Sequence, residues 1–92
     1  MNIDELRERL DALFPQLVDE LSQLVAIPSV SSDPSHAVDV DRSAEHIRSR
    51  FAALGLDAQI HSVTTPEGVQ GKPAILARSP HIEGAPTVLL YA

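Results

Sequence analysis

The chain has no cysteine and no tryptophan, and its only aromatic residues are Phe14, Phe51 and Tyr91. Without thiols, disulfide scaffolds, thiolate zinc sites and thiol nucleophiles are excluded within these residues, and a reducing compartment fits. Long apolar runs are also missing: no stretch approaches the roughly 18 residues that a membrane span requires. The first charges include Asp4, Glu5 and Glu8, unlike the basic start of a secretory signal. Positive charge is scarce, with seven Lys and Arg against thirteen Asp and Glu, a formal charge of −6. The cations are scattered, and Arg48 and Arg50 stand too few residues apart to share a helix face. A phosphate backbone or an anionic membrane surface would repel such a chain. The expectation is a soluble, cytoplasmic protein with neither nucleic acid nor membrane as partner.

What is present is ordinary globular composition, 43% hydrophobic and 22% charged. Ninety-two residues make one small domain, expected to bury roughly 60 to 65% of the surface its unfolded chain exposes.

Ile3, Leu6, Leu10, Leu13, Phe14, Leu17, Leu21 and Leu24 fall within an arc of about 100° on a helical wheel, which predicts one amphipathic helix. Asn2 is its N-cap, with Glu5 three residues on in capping-box position. Pro15 removes a backbone bond to Asp11 and predicts a kink or a break, and the unbroken phase of the stripe favours a kink. The helix is expected to stop near Ala26, because the residue before Pro28 is disfavoured in the α region. The segment "IPSVSSDPSHA" carries the turn chemistry of an ordered loop. A second helix presents Val40, Ala44, Ile47, Phe51 and Leu54 on one face, with Gly55 as its left-handed stop and Leu56 packing back on Phe51.

From Asp57 to Thr64, apolar and polar residues alternate with the period of a half-buried strand. "TPEGVQGKP" is a turn region, "AILAR" a short strand and "SPHIEGAP" a loop, and "TVLLY" reads as a third, interior strand covered on both faces. The first two strands can pair as a hairpin, although nine residues make a long connection. The expected fold is α/β, two amphipathic helices packed on the first three strands of an incomplete mixed sheet.

Chemistry is sparse in the residue pattern. His36, His46, His61 and His81 are the strongest metal-ligand types present, but none stands at a known ligand spacing and HExxH is absent. Ser29, Ser31 and Ser32 lack the G-x-S-x-G elbow of a nucleophile and fit loop and cap roles. Gly55, Gly68, Gly71 and Gly84 form neither a P-loop nor a dinucleotide fingerprint, and each falls at a cap or turn. Asp39 and Asp41, near a helix start, suit the helix dipole better than acid/base work. Spacing therefore assigns no catalytic, cofactor-binding or metal residue.

The order of segments carries more. The helix ending in "IPSVS", the "SSDP" after it, the "SAEHI" helix with its "ALGL" cap, the "GKPAILA" strand and the closing "APTVLLYA" together resemble the amino-terminal part of the zinc-dependent aminoacylase, carboxypeptidase G and desuccinylase family of metallopeptidases. The likeness is greatest to its dipeptidase, carnosinase-like branch and spans nearly all of the chain from about Leu21 onward. The resemblance implies that residues 1–92 are the amino-terminal part of a catalytic domain. In the family, the strand matching Thr87 to Tyr91 runs into a His-x-Asp motif whose His binds one zinc and whose Asp bridges two. Ala92 stands at or just before that point, so no family catalytic or metal-binding residue maps onto this sequence. The resemblance further implies a whole enzyme with two zinc ions and a catalytic Glu that hydrolyses dipeptides or N-acyl amino acids. This segment would be scaffold, inactive alone and partnered by the remainder of the catalytic domain. Two other readings stand beside it: a non-catalytic module that pairs with a partner through its open final strand, and a homodimer in which two copies complete one sheet.

Overall fold

A computed structural model describes residues 1–92. The elements run α1 (Ile3–Val25), a single 3-10 turn (Pro34–His36), α2 (Ala37–Ala53), β1 (Asp57–His61) and β2 (Ala74–Arg78). The class is α/β, with a two-stranded antiparallel sheet.

Helix α1 starts where its cap residues direct. The Glu5 amide donates to Asn2 Oδ1 at 2.9 Å, and the Asn2 amide donates to Glu5 Oε2 at 3.3 Å, a complete capping box. The helix runs unbroken through Pro15 and ends at Val25 with Ala26 as its C-cap. No break occurs at the proline, and its missing N–H leaves the Asp11 carbonyl without its usual helical donor.

The loop after α1 holds more structure than its composition promised. Asp33 caps the 3-10 turn, accepting from the Ser35 amide at 2.9 Å and the Ser35 hydroxyl at 2.8 Å, and α2 begins directly after it. Its far end is a complete Schellman motif: the Leu56 amide donates to the Phe51 carbonyl at 3.2 Å and the Gly55 amide to the Ala52 carbonyl at 2.9 Å. Gly55 adopts φ +84°, a conformation that costs any L side chain.

In the hairpin, Asp57 faces Arg78 and His61 faces Ala74, so that the pairs Ala58/Ala77 and Ile60/Ile75 share one face. Helix α2 lies against both strands. β1 ends at His61 rather than Thr64, but the long connection is ordered, with Thr64 bridging Gln70. At its tip the Thr65 amide donates to the Val69 carbonyl at 2.7 Å and the Gly68 amide to the Thr65 carbonyl at 2.9 Å. Gly71 passes so close to Val63 that an added Cβ would stand 2.9 Å from its carbonyl oxygen. That approach needs a residue without a side chain.

Three expectations are corrected. Thr87–Tyr91 forms no strand: none of residues 86–92 takes part in a backbone hydrogen bond, and Leu89, Leu90 and Tyr91 are 85%, 89% and 96% exposed. A strand exists only where a neighbour accepts its ladder bonds, and here none adjoins it. The sheet is accordingly antiparallel and two-stranded, not mixed and three-stranded. Finally, the helices do not both cover it, since α1 touches α2 alone and reaches neither strand.

The molecule is consequently open. Ala44, at 4% exposure, is the single buried residue. The radius of gyration is 16.6 Å, against about 12 Å for a compact domain of this length. Accessible surface is 7862 Å², whereas a compact monomer of this mass exposes about 5,200 Å². Burial therefore reaches only about 45% of the unfolded chain's surface, well below the range expected from length.

Candidate functional site

The four histidines lie apart. His61 ends β1 in solvent, and His81 sits in the loop after β2 with Nε2 3.4 Å from Glu83 Oε2. His46 stands half-buried on α2 at the groove between the helices. His36 ends the 3-10 turn, its Nδ1 2.9 Å from Asp39 Oδ2 and its Nε2 4.0 Å from Asp33 Oδ2. No three His, Asp or Glu side chains converge on a point that would hold a metal ion.

The structure ties Asp39 down more firmly than its place near a helix start implied. It occupies the first turn of α2, faces His36 and accepts from Arg42 at 2.8 Å. The hydrogen bond with His36 holds its carboxyl below the ordinary carboxylate range, aided by Arg42 and opposed by partial desolvation. Asp33 is held low in the same direction by the two bonds from Ser35. The run Asp33, His36, Asp39 at successive three-residue intervals was the sequence signal for this cluster. Its bonds stay within one turn and the helix after it, which is the work of a cap. Asp41 makes no side-chain hydrogen bond, nor do Ser29, Ser31 and Ser32, so no histidine is hydrogen-bonded to those serines.

Three concavities mark the surface. A groove of about 270 Å³ separates α1 from α2, floored by Leu17, Leu21, Leu24, Ile47, Phe51 and Leu54. Glu20 and Arg50 form an ion pair across it, and Glu20 is held below its ordinary value first by a hydrogen bond from Gln16 and then by Arg50. A second, of about 230 Å³, lies between the start of α2 and the hairpin, with Val40, Asp41, Ile60 and Lys72 in its walls. The third, the largest of the three at about 550 Å³, is lined by Leu76 to Ile82 and by Ala85 to Leu89.

No family model, no curated protein and no solved structure matches this chain.

No helix is long and apolar enough to cross a membrane. The most distinctive surface of the molecule is apolar. It comprises the free stripe of α1, the open edge of β2 and the unpaired segment Thr87–Tyr91.

Proposed function

We propose that this chain is the amino-terminal scaffold of a cytoplasmic, zinc-dependent dipeptidase or N-acyl-amino-acid amidohydrolase. The observation that carries the reading is the order of elements with their terminators: α1 running into "IPSVS", α2 closed by the Gly55 cap, the hairpin Asp57–Arg78, and an apolar segment without a sheet neighbour.

The residues present do not fit a zinc pair, because no ligand trio converges among them. Ligands for both ions, and the Glu that handles the proton, would come from the remainder of the catalytic domain. The work assigned to residues 1–92 is mechanical. Helix α2 braces the hairpin, and Thr87–Tyr91 becomes a strand once the remainder of the domain supplies neighbours. That strand would hold a His-x-Asp motif at a sheet end, where α/β folds place their sites.

The test is the native gene product purified from its source. The reading expects stoichiometric zinc and hydrolysis of dipeptides or N-acyl amino acids that chelation abolishes. A native product without bound metal and without hydrolysis would remove it. The second reading, a non-catalytic module, draws on the unpaired backbone of residues 86–92, which suits strand addition by a partner peptide. It requires a native product that binds such a peptide and hydrolyses nothing.

A further inference from the structure

We infer that His36 is a proton-dependent clasp between the 3-10 turn and α2. With both ring nitrogens protonated it ties Asp33 and Asp39 together, and with a single proton it holds Asp39 alone. This inference does not rest on the enzymatic reading, and every group in it lies in the one stretch Asp33–Arg42.

Each carboxylate commits one oxygen to a fixed partner and leaves the other for His36. Asp33 Oδ1 accepts from the Ser35 amide and hydroxyl, and Asp33 Oδ2 stands 4.0 Å from His36 Nε2. Asp39 Oδ1 accepts from Arg42, and Asp39 Oδ2 stands 2.9 Å from His36 Nδ1. An ionised carboxylate only accepts, so the contact at 2.9 Å places the proton of a neutral imidazole on Nδ1. Nε2 then carries a lone pair and has nothing to donate to Asp33. A second proton makes Nε2 a donor, and a small rotation of either side chain brings 4.0 Å to hydrogen-bond distance. Both carboxylates are held below their ordinary range, Asp33 by Ser35 and Asp39 first by His36. They stay ionised while an imidazole titrates, which leaves His36 as the one group of the cluster that changes charge there.

Of the regular elements, only α2 packs on the 3-10 turn. It brings Asp39 and, beyond it, Arg42, while Asp33 comes from the turn's own cap. Against the two carboxylates stand the Arg42 guanidinium, 60% exposed and therefore screened, and about half a positive charge at the start of α2. An imidazolium at His36 thus sits in net negative surroundings.

The clasp sets the order of the chain as it enters α2. The His36 amide donates to the Asp33 carbonyl at 3.0 Å and the Ala37 amide to the Pro34 carbonyl, so drawing Asp33 toward the ring tightens the same turn. Stabilisation gained on protonation is complete on the acid side of the imidazole range and is lost as pH rises through it, with the carboxylates ionised throughout. Mild acidification therefore firms the turn locally, and only stronger acid, which neutralises Asp33 and Asp39, releases it.

Nitrogen NMR of the imidazole rings in the full chain reads the first half of the clasp. At alkaline pH the neutral His36 ring is expected as the Nδ1–H tautomer, with the solvent-exposed His61, its proton mainly on Nε2, as the reference. Amide protection reads the second half. Between about pH 8 and about pH 5.5, which spans the ordinary imidazole range, protection at Ser35, His36 and Ala37 should rise about two- to fivefold, the size of one exposed ion pair. Asp33→Asn keeps the oxygen that caps the turn and loses the second acceptor, so it should retain the Nδ1–H tautomer and lose the rise. His36→Gln should also lose the rise, and Asp39→Ala should move the neutral ring's proton to Nε2. The inference is overturned by an Nε2–H tautomer in the parent or by protection that stays level or falls on acidification. It is equally overturned if Asp33→Asn or His36→Gln keeps the rise, or if Asp39→Ala keeps the Nδ1–H tautomer.

Discussion

Replacing Gly55 with alanine isolates one backbone interaction. Gly55 holds φ +84° at the end of α2, and a Cβ built there meets nothing within 4 Å. The cost is therefore conformational and not steric against a neighbour, about 1–2 kcal/mol for an L residue in the left-handed region. In a domain of this size that lowers Tm by roughly 4–8 °C for each kcal/mol. Asparagine tolerates the same region better, so Gly55→Asn should lose clearly less than Gly55→Ala. The assay is urea unfolding followed at the helical circular dichroism band, with all proteins at one concentration. The slope is expected to hold while the midpoint falls in the order Gly, Asn, Ala. A Gly55→Ala midpoint equal to the parent's, or Asn costing as much as Ala, would refute the assignment of the Schellman cap as the stop of α2.

Three further outcomes are expected. Asn2→Ala removes half of the capping box and should cost about 1 kcal/mol, read as faster amide exchange in the first turn of α1 with the hairpin amides unchanged. Asp39, Asp33, Glu20 and Glu45 all have folded pKa values below their ordinary ones, so their contribution is complete above the unfolded carboxylate range and is lost as pH falls through the lower, folded values. Helicity should therefore hold at neutral pH and decline only in acid, and Asp39→Asn should shrink that acid limb in a pH titration of circular dichroism. Leu89→Asp should leave the unfolding midpoint within about 0.5 kcal/mol of the parent at concentrations too low for association, because the side chain is exposed. A loss of several kcal/mol there would mean that the segment is core within one copy.

What was legible in the sequence was whatever local chemistry decides. The Asn2 box, the stop at Val25, the Gly55 cap and the strand at Ala74–Arg78 each depend on residues within a few positions of one another, and each is found where the pattern puts it. The 3-10 turn at Pro34–His36 was hidden because Asp33 and Pro34 read equally as loop residues. Thr87–Tyr91 and the apolar face of α1 failed for another reason. Apolar periodicity states which residues avoid water, not what covers them, and a strand's existence belongs to its neighbours as much as to itself. The candidate chemistry was scarce in the pattern, and the fold gathers it only into caps and ion pairs around His36, Asp39 and Glu20.

The central proposal, a zinc amidohydrolase scaffold, is tested most directly by the intact mass of the native gene product with a peptide map read across the residue after Ala92. The account predicts a much longer chain in which a His-x-Asp motif begins within a residue or two of Ala92. A native product that terminates at Ala92 would contradict it and leave strand pairing as the function to explain.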